Sequence, residues 1–549
     1  MAWISDGLPR GFAMEMTLGS SFARSARKYA SKVAIADDQR RLTYQQLNHR
    51  VNRLANAMLE MQIDKGQRAA VLSSNCTHLM EIYLAHLKLG VVTVPLTVRE
   101  TAEGIIRQAR LSCPRLLLFH VRLTEMAERL LMEVPCIEKA LAFGGSSPEF
   151  ALDLETLIEQ GSSAEPPDRV READDAFIMF TGGTTGAPKG AVLTHKNLLW
   201  NAICKIAENR SPSPQDIIYY PMQMYHSAAM SRFLAYMYAG GTFIGSPSFD
   251  PERYLAMVER ERATAIVGNS TIWKMLLEIQ RTRPFDTSSI RNWVHSQGPL
   301  DPALREEVRG LLFPRAEGFV TYALTEASPG VTILKPEDRP RHWSSVGRPY
   351  MCTEVRIAAP GEDRPLAPGE VGEIQVRGPT VMKGYFNDPE GTEEALKGGW
   401  LHTGDLGRQD ELGYLYVVDR LKDMIKTGGL NVYSREVEEV LLSHPDVEEA
   451  AVIGVPDDRW GETVRAIVVG RRGSDLTEEA LVAYCKGRLE GYKRPTSVVF
   501  VQELPRGSSG GKVLKRVLRE LYGTASTHCL EGRKEESQGS RERKTEVRR

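Results

Sequence analysis

Two hydrophobic periods alternate along this chain, and that alternation narrows the fold more than any other feature. "LTYQQLNHRVNRLANAMLEM" places Leu47, Val51, Leu54 and Met58 at helical spacing. "RAAVLSS" then reads as a short buried strand, "HLMEIYLAHLKLG" as a helix ending at Gly90, and "VVTVPL" as the next strand. A similar alternation returns from about residue 176 to 300. Strand and helix in turn predict a parallel sheet with helices on both faces. Within the second stretch "AFIMF" is a strand that enters a glycine-rich loop, "GAVLT" is another strand, and Thr194 is placed to cap the helix of "HKNLLWNAICKIAE".

Around residue 340 the texture changes. "VGRPYMCTEVRIAAPGEDRPLAPGEVGEIQVRGP" is β-rich and cut by Gly and Pro, as in a small antiparallel or barrel-like unit. Further on, "SREVEEVLLSHPDVEEAAVIGVP" reads as a capped helix, a His-Pro stop and a strand, and "LTEEALVAYCKGRL" as another amphipathic helix. At 549 residues the chain is too long for one core. The expected class is α/β. A large N-terminal domain of layered α/β subdomains with a β-rich unit covers 1–420. A hinge at 421–423 leads to a small mobile α+β domain at 424–522, and a charged, disordered tail covers 523–549.

The loop after "AFIMF" is "FTGGTTGAPKG", with four glycines, three threonines and a lysine. It is not the common phosphate loop, which has Gly before its lysine and Ser or Thr after it; here Pro188 precedes Lys189 and Gly190 follows. Glycines still let backbone N–H groups converge, the hydroxyls of Thr181, Thr184 and Thr185 can join them, and Lys189 adds a point charge. That chemistry suits the β- and γ-phosphates of a nucleotide, or departing pyrophosphate. In isolation such a loop is as readily a tight turn. The charge balance, 70 basic against 71 acidic residues, gives no global reason to expect nucleic acid as a partner. No apolar run approaches the ~18 residues of a membrane span, and the N-terminus lacks a signal-peptide core, so a cytoplasmic location is expected. Seven cysteines without CxxC spacing read as reduced thiols, mostly core fillers, and eleven histidines without HExxH spacing do not suggest zinc.

Several strings, in one order from about residue 40 to 520, carry a resemblance. They are the glycine loop, "GAVLTHKNL", "VTYALTEAS", "GEVGEIQVRGPTVMKGYFNDPEGTEEAL", "GWLHTGDLG", "YVVDRLKDMIKTGGLNVYSREVE" and "PRGSSGGKVLKRVLRE". Together they resemble the adenylate-forming superfamily of acyl-CoA synthetases, beetle luciferases and peptide-synthetase adenylation domains, and are most similar to the acyl-CoA ligases. The resemblance implies ATP, Mg²⁺ and coenzyme A as cofactors. It implies a ligase that first makes acyl-AMP and pyrophosphate from acid and ATP, then acyl-CoA and AMP, with domain alternation between the two steps.

Under that resemblance Thr181, Gly182, Gly183, Thr184, Thr185, Gly186 and Lys189 hold phosphates and Tyr322 joins the nucleotide site. Thr325 contacts the α-phosphate and Glu326 holds Mg²⁺, which prefers one or two carboxylates plus phosphate oxygens. Asp405 and Arg420 reach the ribose, Lys422 is the hinge, and Gly428 and Gly429 with Lys426 meet the pantetheine arm. Lys512 is the adenylation lysine. Tyr225 and His226 gate the acyl pocket, which Asn269, Gln297, Gly298 and Ala323 help to line.

Three departures from the family pattern stand out. Ala323 replaces a usual glycine, "PRGSSGGK" is one residue longer than usual, and polar Asn269 and Gln297 stand in the pocket segments. Buried amides need partners, either backbone groups or the substrate. The polar pocket favours a medium-sized acid, aromatic, alicyclic or fatty, and "YHSA" argues against an amino acid. Two alternatives follow: a ligase that loads a carrier protein, or a nucleotide-binding pseudoenzyme.

Overall fold

The structure is a computed structural model that describes residues 15–181, 188–296, 298, 300–338, 341–506 and 513–523. The chain divides into two compact units. One runs to Thr403 and resumes over Arg408–Tyr416; the other comprises Gly404–Gly407 and the chain from Val417 on. The expected hinge segment, 421–423, lies inside the second unit.

Two large sheets build the first unit. Among the described residues, an eight-stranded sheet runs Gly384–Tyr385, Lys189–Thr194, Asp175–Thr181, Val92–Pro95, Arg68–Leu72, Leu116–His120, Lys139–Phe143 and Leu152–Asp153. From Asp175–Thr181 outward its strands pair in parallel, while the two at the other edge are antiparallel. A nine-stranded sheet has a parallel centre that includes Ile217–Tyr220, Ala265–Gly268, Asn292–His295 and Glu317–Tyr322, with antiparallel strands at both ends. The β-rich segment takes the antiparallel form, with Glu354–Ala358 against Gly372–Arg377.

The helices follow from cap and period. Tyr44–Glu60 starts at a capping box of Thr43 and Gln46 and buries all four of Leu47, Val51, Leu54 and Met58. Thr194 caps His195–Glu208 in the same way, with Asn197 as its reciprocal partner. Thr77–Leu89 is buried on every side, as a helix between layers must be, and ends at Gly90 with φ +74°.

In the second unit the strands Val447–Asp457 and Gly461–Gly470 form a long antiparallel pair, and Ser497–Phe500 lies parallel to the latter. Alternate residues face two separate cores. Val452, Val464 and Val468 pack with Val437 and Leu481 from two helices; Ala451, Ile453 and Ile467 pack with Leu518. The expected cap at Ser434 is not what forms. Tyr433 occupies that position without a side-chain bond, and Ser434 is the first helical residue, its hydroxyl 2.8 Å from Asp419 Oδ2. The reading of the cysteines also changes: of the six described, only Cys204 and Cys485 are buried. No helix among the described residues is long and apolar enough to cross a membrane.

Two fully buried imidazoles set an acid limit on this fold. Burial pushes His195 down to about 4 and His86 down to about 3. The unfolded chain takes up those protons near pH ~6.5, so below that the unfolded state binds more protons than the native one. The stabilisation is complete above pH ~6.5 and is lost as pH falls toward the folded values. His78, whose Cys76 and Glu155 partners outweigh its burial and raise it to about 9, acts the other way: its contribution is complete below pH ~6.5 and is lost as pH rises through about 9. The thermal midpoint should therefore fall between pH ~6.5 and 4.5. His195→Asn, which keeps an acceptor for the Leu18 N–H, should give a shallower fall in the same calorimetric series. An unchanged slope would remove His195 from the account.

Candidate active site

The glycine loop joins two antiparallel strands, with Thr181 opposite Lys189. It is thus a hairpin connection, unlike the strand-to-helix loop of the common phosphate site. Thr181 Oγ1 lies 3.4 Å from the Lys189 carbonyl. Gly182, Gly183, Thr184, Thr185 and Gly186 fall outside the described residues, as do Gln297 and Lys512.

Just past the loop, Lys189 Nζ sits 4.9 Å from the centre of the Tyr385 ring and 3.4 Å from Asp388 Oδ2. The Tyr385 hydroxyl donates to Glu326 Oε1 at 3.1 Å. Tyr385 pairs with Ala191 in the sheet, which fixes its ring beside the lysine strand. Burial, then the Glu326 charge, pushes its hydroxyl well above the ordinary tyrosine range, so it stays a donor. The Glu326 carbonyl accepts from Met382 N at 2.8 Å, tying the 325–327 turn to the same edge. Thr325 Oγ1 is 2.8 Å from Ser227 Oγ, the first residue of the helix Ser227–Ala239. Thr325, Glu326 and Lys189 are therefore brought together through Tyr385 and Ser227, neither of which the sequence reading had assigned.

Tyr225 and His226 stack edge-on with ring centres 4.7 Å apart. Tyr225 is buried, and its hydroxyl has no partner among the described residues. Burial, with the Arg99 charge second, pushes His226 down to about 4, so its imidazole is neutral at pH 7. Tyr322 is half-buried and Ala323 exposed. Asn269 resolves the question its amide posed: Oδ1 accepts from Ile272 N at 3.0 Å and caps the helix Ser270–Thr282. Gly298 has φ +135°, and its carbonyl accepts from His295 Nε2 at 3.0 Å. Trp273 Nε1, a donor only, contacts His295 Nδ1 at 3.0 Å, so His295 carries its proton on Nε2.

In the second unit Arg420 Nε lies 3.5 Å from Asp405 Oδ1. Gly428 and Gly429 form the two-residue turn between Ile425–Thr427 and Leu430–Val432, with φ +57° and +80°, the signs that a type I′ hairpin requires. Lys426 is exposed on the first of those strands, and Lys422 is exposed in the turn before it. One other cluster, His78, Glu81 and Glu155, has the donor set of a metal site. Arg40 and Arg50 each pair with both of its carboxylates, which makes it an ion-pair network.

Comparison with known proteins identifies the family. Residues 22–386 match the model of the AMP-binding enzymes and 436–511 that of the AMP-binding enzyme C-terminal domain. A feruloyl-CoA synthase of Amycolatopsis is 38% identical over 526 residues, covering 92% of this chain and 99% of the relative. A long-chain-fatty-acid–CoA ligase of Mycobacterium tuberculosis is 33% identical over 482 residues, covering 88% and 93%. The ATP-bound MatB of Rhodopseudomonas palustris superposes with a TM-score of 0.83 at 30% identity, covering 92% and 99%. The chain belongs to the AMP-binding enzyme family, the adenylate-forming ligases.

Tyr385→Phe keeps the ring under Lys189 and removes only the bond to Glu326. The rate of ATP–pyrophosphate exchange should drop about tenfold, the worth of roughly one such hydrogen bond. A wild-type rate would show that the hydroxyl has no part in holding Glu326.

Proposed function

We propose that this protein is an ATP-dependent acid–CoA ligase: acid and ATP give acyl-AMP and pyrophosphate, then acyl-AMP and CoA give acyl-CoA and AMP. The observation that carries the reading is the convergence of Lys189, Tyr385, Glu326, Thr325 and Ser227 beside the glycine hairpin. Two anions, a carboxylate and a triphosphate, must meet in the first step. Fixed donors and cations must stand where charge develops.

The glycine hairpin, from Thr181 through Gly182, Gly183, Thr184, Thr185 and Gly186 to Lys189, holds the β- and γ-phosphates. Thr325 faces the α-phosphate, and Tyr322 borders the nucleotide. Glu326 fits a magnesium ion: Tyr385 occupies Oε1, and Oε2 has no partner among the described residues. Mg²⁺ bound there would offset the triphosphate charge. His226, neutral at working pH, positions the acid through hydrogen bonding, with Tyr225 beside it. Asp405 and Arg420 take the ribose hydroxyls. Lys512 bridges carboxylate and phosphate in adenylation. The Gly428–Gly429 turn, with Lys426, serves the pantetheine thiol in the second step, and Lys422 is the hinge residue.

The acid is medium-sized, and the aromatic class is favoured. The support is the similarity to the feruloyl-CoA synthase together with the aromatic Tyr225–His226 pair. Asn269 no longer argues for a polar pocket wall, since its oxygen is engaged in the helix cap.

ATP–pyrophosphate exchange over acids from acetate to palmitate, with benzoates, cinnamates and cyclohexane carboxylates, tests the reading. Benzoates or cinnamates should give the highest rate. Lys512→Ala and Glu326→Ala should each lose on the order of 10²-fold. Palmitate as the best substrate would overturn the acid class. ATP binding without exchange on any acid would overturn the ligase itself. Release of free acyl-CoA on adding CoA, and not of acyl carrier protein on adding the carrier, completes the second half-reaction.

A further inference from the structure

We propose that Cys204 and Cys352 are an oxidisable pair that closes to an intramolecular disulfide. They are 148 residues apart in sequence, yet their sulfurs are 2.7 Å apart. Cys204 is buried on the helix His195–Glu208, and Cys352 is half-buried in the turn that follows the strand Arg348–Pro349. Neither of the two half-reactions uses them.

The approach is held by its surroundings. The backbone N–H of Met351 donates to Glu208 Oε1 at 2.6 Å, at the end of the same helix. The Tyr350 hydroxyl donates to Asn209 Oδ1 at 2.8 Å, one residue further. Thr353 N closes the turn on the Tyr350 carbonyl at 2.8 Å. Three bonds thus pin the turn on or beside the helix end and set the two sulfurs face to face.

The pair also has the asymmetry that thiol oxidation needs. A hydrogen bond from Cys204 holds the Cys352 thiol down to about 7, while the same contact and burial push Cys204 far above the usual thiol range. Cys352 is the nucleophile and Cys204 the resolving thiol. It is also the accessible one of the two, beside the exposed Met351. With a hydroperoxide as oxidant, the Cys352 thiolate attacks the peroxide oxygen and becomes a sulfenic acid, and the O–O bond breaks to release water. The Cys204 sulfur then attacks the sulfenic sulfur, the S–S bond forms, and a second water leaves. In sum, two thiols and one H₂O₂ give one disulfide and two H₂O.

The bond would staple the helix that follows the glycine hairpin to the segment leaving the edge of the nine-stranded sheet. Cross-linking such distant residues restricts the unfolded chain, so the oxidised form should resist heat better.

The test is mild hydrogen peroxide treatment of the full chain. Intact mass should fall by about 2 Da, the two hydrogens lost. A non-reducing peptide map should join the Cys204 and Cys352 peptides. The thermal midpoint should rise, and dithiothreitol should reverse all three. In Cys204→Ser, Cys352 should instead accumulate as a dimedone-reactive sulfenic acid. Should that variant fail to fold, the wild-type map decides alone. Sulfinic acid on Cys352 with Cys204 still open to alkylation would overturn the proposal. So would a mass loss that maps to Cys113 and Cys136.

Discussion

A backbone pairing, Thr181 against Lys189, is the constraint on which the site rests. It closes the glycine loop at its base and starts the strand that carries Lys189 forward. The loop is short and rich in residues that tolerate many conformations, so its own sequence could not define its path. The two strands fix its ends, and they belong to a sheet whose parallel interior is packed on both faces.

The next requirement is that opposite charges at the site should not neutralise each other. A lysine and a glutamate near one anion would pair if nothing stood between them. Tyr385 stands between them, offering its ring to Lys189 and its hydroxyl to Glu326. Among the described residues Lys189 also contacts Asp388, at 3.4 Å and more than a third exposed on the acidic side, which makes that ion pair weak. Ser227 does comparable service for Thr325, fixing its hydroxyl from a neighbouring helix.

Much of the frame was legible in the sequence because it is locally determined. Leu47, Val51, Leu54 and Met58 announce one helix face, and Thr194 announces a helix start, through spacing and cap chemistry within a few residues. The motif strings also single out Thr325 and Glu326, adjacent in one turn, and Asp405 and Arg420, whose side chains lie 3.5 Å apart. What was not legible depends on long-range contacts. Tyr385 stands within a family-like string, "KGYFND", but its meeting with Glu326 spans 59 residues. Cys204 and Cys352 carry no spacing signal at all. Ser434 misled for a different reason. A serine before a helix suits a cap, but the buried Asp419 competes for its hydroxyl and wins.

The turn at Gly428 and Gly429 has a consequence of its own. Both residues sit at positive φ, and a Cβ on Gly428 would come within 2.9 Å of the Trp460 ring. The tip of that hairpin is consequently bare main chain, held open by an indole on one side. Its exposed face is main chain bordered by the exposed Trp460 ring. A side chain at either position would therefore change the tip twice over, by straining its backbone and, at 428, by displacing the indole.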